Sequence, residues 1–159
     1  MIYFLSLGSN LGQKANNLKQ ALSLLKKEGI RILRSSSLYE TEPANVPDQP
    51  WFYNQVVEAE ADFSPRELLK LLKEIEQRMG RKTSSQRAPR KIDLDILLAK
   101  NIIIRTNELV IPHPRLEKRN FVLVPLSEIA PGIVHPVLGI KIEDLAKKSK
   151  DSSIVKKLK

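Results

Sequence analysis

Chemistry is most legible in the run Ile92-Asp93-Leu94-Asp95-Ile96-Leu97-Leu98. Side chains alternate along a β-strand, so Ile92, Leu94, Ile96 and Leu98 are expected on one face and Asp93 and Asp95 on the other. The α-carbons of the two aspartates would then lie about 6.5–7 Å apart. A pair of carboxylates at that spacing can share or bridge hard divalent cations. Magnesium takes a few carboxylates and fills its remaining positions with water and phosphate oxygens. The plain alternative is two solvated aspartates, but aspartate is disfavoured in strands and like charges on one face repel. A cationic partner is therefore expected.

Arg81, Lys82, Arg87, Arg90 and Lys91 immediately precede the pair, in a polar stretch without apolar period. A basic loop beside a metal site suits a triphosphate, whose charge it neutralises on closing. Phe52 and Asn54 share one face of another predicted strand, where an aromatic plate beside an amide can stack on and hydrogen-bond a flat heterocycle. An ordinary core phenylalanine with a surface asparagine fits the same pattern. His113 lies between Pro112 and Pro114, in a rigid turn from which it could touch phosphate. Glu76 is expected on a solvated helix face and His135 on the surface. Gly8-Ser9-Asn10 reads either as a plain turn or as a phosphate cradle at a helix start, and no Gly-Lys-Ser/Thr phosphate loop occurs.

The elements that must position these residues follow from periodicity. Ile2 to Leu7 suits a buried strand; Ala15, Leu18, Leu22 and Leu25 then fall on one face of a helix that stops at Gly29. Ile30 to Glu40 reads as a second strand. Pro43, Pro47 and Pro50 make Thr41 to Pro50 a long loop, and Phe52 to Ala61 a third strand. Ser64-Pro65-Arg66-Glu67 offers a capping serine, a proline at the first helical position and a glutamate three residues after the serine. Leu68, Leu72, Ile75 and Met79 form the stripe of that helix, which ends at Gly80. Lys91 to Ala99 is the fourth strand. The order is strand, helix, strand, strand, helix, strand, which predicts an α+β fold: a ferredoxin-like βαββαβ antiparallel sheet with helices on one face. A C-terminal extension adds a hairpin strand, a Pro-rich turn and helices near Phe121 to Ile129 and Ile142 to Lys148.

The 159 residues suit one domain spanning 1–159, with 42% hydrophobic residues available for a core. There is no cysteine, no run of ~20 apolar residues to cross a bilayer and no basic-apolar leader, so a cytoplasmic protein is expected. The net charge of +9 suits an anionic partner or simple solubility. The lysine-rich last ten or so residues are expected to be a solvated or frayed end.

Arg90-Lys91-Ile92-Asp93-Leu94-Asp95-Ile96-Leu97 resembles the signature of the hydroxymethyldihydropterin pyrophosphokinases. Further pieces resemble that family in the same order: Gly8-Ser9-Asn10-Leu11, Tyr39-Glu40-Thr41-Glu42-Pro43, Asp48-Gln49-Pro50, Phe52 with Asn54, Ile111-Pro112-His113-Pro114, Arg119 with Phe121, and Pro125 to Pro131. The resemblance spans about Met1 to Leu138. It implies an enzyme that moves diphosphate from ATP to 6-hydroxymethyl-7,8-dihydropterin, as a monomer with neither nucleic acid nor membrane as partner. Two magnesium ions would sit on Asp93 and Asp95. The resemblance further implies that Phe52 and Phe121 sandwich the pterin, with Asn54, Thr41, Pro43 and Ala44 at its edge. ATP would meet Glu76, Arg81, Arg87, Arg90, Ile96, His113 and Arg119, and catalysis would fall to Asp95, Arg81 and Arg90. The chain departs from the family in reading Arg87-Ala88-Pro89-Arg90 where a tryptophan precedes Gly-Pro-Arg, in a loop one residue shorter, and in carrying Thr83 and Pro114 where arginine and tyrosine are common.

Three alternatives fit parts of the pattern. An RNA-recognition module shares the element order but stacks bases on central-strand aromatics, where this chain carries aspartates. A nucleotidyltransferase also combines Gly-Ser with Asp-x-Asp, but with the two close in sequence, unlike Ser9 and Asp93. A catalytically silent relative would fit the altered loop.

Overall fold

The computed structural model describes residues 1–43, 48–80 and 88–158. Among them β1 (Ile2–Ser9), β4 (Phe52–Glu60) and β5 (Asp93–Ala99) form the middle and one edge of an antiparallel sheet in the order β5-β1-β4. The predicted second strand is split into β2 (Arg31–Ser35) and β3 (Tyr39–Thr41), both paired with β4. Ser36 makes the break: its N–H donates to the Val56 carbonyl, and its Oγ accepts the Val56 N–H at 3.0 Å.

Helices α1 (Lys14–Lys27) and α2 (Pro65–Arg78) cover one face. Their rows Leu18, Ala21, Leu25 and Leu68, Leu72, Ile75 pack with Tyr3, Leu5, Leu7, Val57, Ala59, Leu94 and Ile96 in one buried cluster. The predicted start of α2 is present in full. Ser64 Oγ accepts the Glu67 N–H at 3.2 Å, and Glu67 Oε1 accepts the Ser64 N–H at 3.0 Å. These bonds fill two donors that a helix start leaves open.

The opposite face is not left open, as the one-sided helix packing predicted from sequence requires. Phe4, Val56, Leu97 and Leu98 project there, and an apolar patch of that size needs cover. Helices α3 (Asn120–Ile129) and α4 (Ile142–Lys148) of the extension supply it through Val122, Leu123, Leu126, Ile142 and Leu145. Leu98 is thus on the face opposite to Leu94 and Ile96. The cause is a bulge: Leu5 faces Ile96 while Phe4 faces Leu98, so Leu97 is extra and the alternation inverts after it.

The extension also contains the hairpin β6 (Ile104–Arg105) and β7 (Val110–Ile111). The tail, expected to be solvated or frayed, keeps Lys156 and Lys157 exposed but is ordered as β8 (Val155–Lys157), antiparallel to β3. His135, predicted on the surface, is buried. Its Nδ1 accepts the N–H groups of Val137 (3.2 Å) and Leu138 (3.1 Å), closing a turn over α3 and α4. No helix among the described residues is long and apolar enough to cross a membrane.

Candidate active site

Phe4, Ser6 and Gly8 alternate along the second face of β1, where Phe4 joins the cluster under α3 and α4 and Ser6 and Gly8 do not. Gly8 lies between Asp93 and Asn54, and Ser6 between Asp95 and Val56. The floor therefore changes from apolar to polar along each strand. Over the polar half opens a cleft of about 720 Å³. Its lining brings together Thr41, Pro43, Phe52, Asn54, Glu76, Arg90, Asp93, Asp95, His113, Arg119 and Phe121, each singled out from sequence. Ile96 does not join them; its side chain lies in the core under α1 and α2. Ala44, Arg81 and Arg87 lie outside the described residues.

Gly8 is small for a reason visible in the floor. A Cβ there would stand 2.6 Å from Asn54 Oδ1. Asn54 is buried, and its Nδ2 donates to Thr41 Oγ1 at 2.6 Å, so the amide is held in place. Gly8 and Ser9 belong to β1, and α1 begins only at Lys14, so the proposed phosphate cradle at a helix start is not formed. Asn10 ties loops together instead. Its Oδ1 accepts the Arg90 N–H (2.6 Å), its N–H donates to the Arg90 carbonyl (3.0 Å), and its Nδ2 donates to Gln49 Oε1 (3.1 Å).

Arg90 supplies the cation expected beside the aspartates: its guanidinium meets Asp93 Oδ2 at 3.1 Å. Its Nε is buried without a hydrogen-bond partner among the described residues. Glu76 does not lie on a solvated face. It is buried, and Oε2 accepts the Leu94 N–H at 2.8 Å, linking α2 to the metal-candidate strand.

His113 is placed by the bulge, because its N–H donates to the carbonyl of the extra residue Leu97 at 2.9 Å. Its Nδ1 accepts the Arg115 N–H at 3.1 Å, which leaves the ring proton on Nε2. Burial, then the Arg119 and Arg115 cations, lower its pKa to about 4 against the pull of Asp93 and Glu117. The ring is thus a neutral N–H donor near pH 7. Arg119 lies 5.4 Å from the centroid of the Phe121 ring. Burial, then Arg115, push its pKa down while Asp95 and Asp93 push it up. The arrangement offers hard oxygen ligands, cationic donors and two aromatic rings within one cleft, which suits an anionic phosphate chain joined to a flat ring.

Sequence reasoning gave no role to Ser6, Gln49, Leu69, Lys73 and Arg115, which also line the cleft, and reached Glu42 only within the Thr41–Ala44 loop of the resemblance. Leu69, Lys73 and Glu76 share a helical stripe at i, i+4 and i+7, a signal that was present. Ser6 was likewise legible from alternation with Leu5 and Leu7. Glu42, Gln49 and Arg115 sit outside regular elements, where no period marks them.

The model of the family described as 7,8-dihydro-6-hydroxymethylpterin-pyrophosphokinase (HPPK) matches residues 4–131. A Bacillus subtilis 2-amino-4-hydroxy-6-hydroxymethyldihydropteridine pyrophosphokinase is 43% identical over 129 residues, covering 80% of this chain and 77% of its own length. The Folic acid synthesis protein fol1 of Pneumocystis carinii is 41% identical over 151 residues, 95% of this chain. The chain spans only 20% of that longer relative. A Plasmodium falciparum HPPK-DHPS crystal structure with SDX-DHP superposes with a TM-score of 0.72 at 22% identity, covering 92% of this chain and 43% of that one, and speaks for the fold alone. With 128 consecutive positions spanned by the family model (131 − 4 + 1), the chain belongs to the 7,8-dihydro-6-hydroxymethylpterin-pyrophosphokinase family.

Proposed function

We propose that the chain is a single ferredoxin-like domain that transfers diphosphate from ATP to the hydroxymethyl group of 6-hydroxymethyl-7,8-dihydropterin, releasing AMP. The observation that carries this is the meeting, in one cleft, of Asp93 and Asp95 with Phe52, Asn54 and Phe121. The strand order β5-β1-β4-β3, with α1 and α2 as crossovers on one face, supports the ferredoxin-like assignment.

Asp93 and Asp95 would hold magnesium, in the two-ion form implied by the resemblance. The donor set fits: two carboxylates opening on one cleft are the hard oxygen ligands that suit a hard cation. Among the described residues no group of three or more acidic, histidine or cysteine side chains is placed to hold a metal, and water and phosphate oxygens would complete the shell. Bound there, magnesium neutralises phosphate charge.

The protein's own groups do the rest. Phe52 and Phe121 clamp the pterin ring, and Asn54, fixed by Thr41, reads its edge, together with Pro43 and Ala44. The buried Nε of Arg90, without a partner among the described residues, is a donor that a phosphate oxygen would satisfy. His113 donates Nε2–H to phosphate without adding charge. Arg119, Arg81 and Arg87 balance the polyphosphate, and Glu76 and the Ile96 backbone meet the nucleoside. The pterin hydroxyl oxygen attacks the β-phosphorus, the bond from that phosphorus to the α-phosphate oxygen breaks, and Asp95 is the carboxylate assigned to the hydroxyl proton. Positioning and charge neutralisation dominate such transfers. A monomeric, cytoplasmic protein completes the proposal.

Incubating the chain with Mg·ATP and the pterin, and resolving products chromatographically, tests it. Pterin-dependent AMP supports the assignment. Pyrophosphate without AMP would mark a nucleotidyltransferase, and no nucleotide product with intact binding a silent relative.

A further inference from the structure

The tail Ser149–Leu158 lies beyond the family match, which ends at residue 131, yet it touches both walls of the cleft. On one wall stands the start of α3, which carries Phe121 and follows Arg119. Arg119, the capping residue, makes no side-chain cap of its own. Asp151 does so from outside the helix. Its Oδ2 accepts the Asn120 N–H at 2.9 Å, and its carbonyl accepts Asn120 Nδ2 at 2.8 Å. Its other oxygen, Oδ1, accepts the Ser153 N–H at 2.9 Å, which turns the chain toward the second wall. There Ile154 exchanges two bonds with Glu42, N–H to Oε1 at 2.6 Å and carbonyl to the Glu42 N–H at 3.2 Å. Val155 then pairs with Thr41, and Lys157 with Tyr39.

Thr41, Glu42 and Pro43 line the cleft from this wall, and Arg119 and Phe121 from the other. A helix start and a strand end that both line the cleft are thus fastened to one seven-residue segment. Burial pushes the Asp151 pKa up, but the Asn120 and Ser153 bonds and the Arg119 charge outweigh it and leave it lowered. The carboxylate is therefore charged at neutral pH.

We propose that Asp151–Lys157 is a positioning strap that sets the separation of the Thr41–Pro43 and Arg119–Phe121 walls, with Asp151 as its central residue. The claim rests on the pterin assignment for its catalytic consequence, and on geometry alone for the fastening.

The test compares wild type, Asp151→Ala and Asp151→Asn by steady-state kinetics and by hydrogen exchange of the free protein. Asp151→Ala is expected to raise the pterin KM about tenfold and the ATP KM by less, about threefold through Arg119, while kcat stays within about twofold. Asp151→Asn, whose amide oxygen still accepts the Asn120 N–H, should recover most of that loss. In the free protein, exchange in Asp151→Ala should accelerate about tenfold at Glu42 and at Val122 and Leu123, with α1 and β5 unchanged. Equal rises in both KM values, no rise, or unaltered exchange at both walls would overturn the strap. If wild type makes no pterin-dependent AMP the pterin assignment falls, and the exchange data still decide the fastening. Should Asp151→Ala not fold, Asn120→Ala, which loses the Nδ2 bond to the Asp151 carbonyl, carries the comparison: a pterin-selective KM rise and faster exchange at the same amides support the strap, and wild-type behaviour in both overturns it.

Discussion

The second face of the sheet has two halves built on the same three strands, and they behave as opposites. One half, Phe4, Val56 and Leu98, is sealed by α3 and α4; the other, Ser6, Gly8, Asn54, Asp93 and Asp95, lies open to the cleft. The boundary falls at the bulge between Phe4/Leu98 and Leu5/Ile96. Without the extra residue, strict alternation from Asp93 and Asp95 would carry Leu98 into the first core and expose a gap beneath α3. The bulge lets one strand feed an apolar core at one end and a polar site at the other. It also frees the Leu97 carbonyl to hold His113. One irregularity thus serves both halves.

If the halves are independent, substitutions in them should separate activity from stability. Asp95→Ala should lower kcat/KM about 10³-fold. Its melting temperature should hold or rise, since one of two like charges on a face is removed. Leu98→Ala should do the reverse, costing about 3 kcal/mol of unfolding free energy by denaturant titration while the folded fraction keeps near-normal KM values. Gly8→Ala probes the open half sterically. Its methyl would collide with Asn54 Oδ1, so the pterin KM should rise about thirtyfold with ATP affinity intact, as read by titration of each ligand.

The smallest effect concerns pH. The folded pKa of His113 is about 4, below the unfolded 6.5, so the unfolded chain takes up the proton first as pH falls. The contribution of the neutral ring to stability is complete above about pH 6.5 and is lost towards about pH 4. His113→Asn should flatten denaturation midpoints measured across that window, leaving a residual slope from His135, whose pKa burial also lowers. An unchanged slope would mean that His113 does not titrate as its surroundings require.

Much of the open half was legible because it follows period two: Asp93 with Asp95, and Phe52 with Asn54, reach the cleft by simple alternation. The capping box of α2 was equally local. What escaped was settled by pairing between distant segments. No feature of Ile92 to Ala99 announces that Leu97 is the extra residue, because a bulge depends on register with β1. Glu76 appeared solvated because its partner, the Leu94 N–H, sits on another element. The tail appeared frayed because Val155–Lys157 has no amphipathic run of its own and becomes a strand only against the edge of β3. His135 is the exception, since its Nδ1 is filled locally by the N–H groups two and three residues on.

A crystal structure of the chain with magnesium, a non-hydrolysable ATP analogue and the pterin tests the central claim most directly. The account predicts the pterin ring between Phe52 and Phe121 beside Asn54, the polyphosphate over Asp93 and Asp95, and Arg90 Nε donating to a phosphate oxygen. Ligands bound elsewhere, or a pterin lying away from Asn54 with the aspartates unengaged, would contradict it.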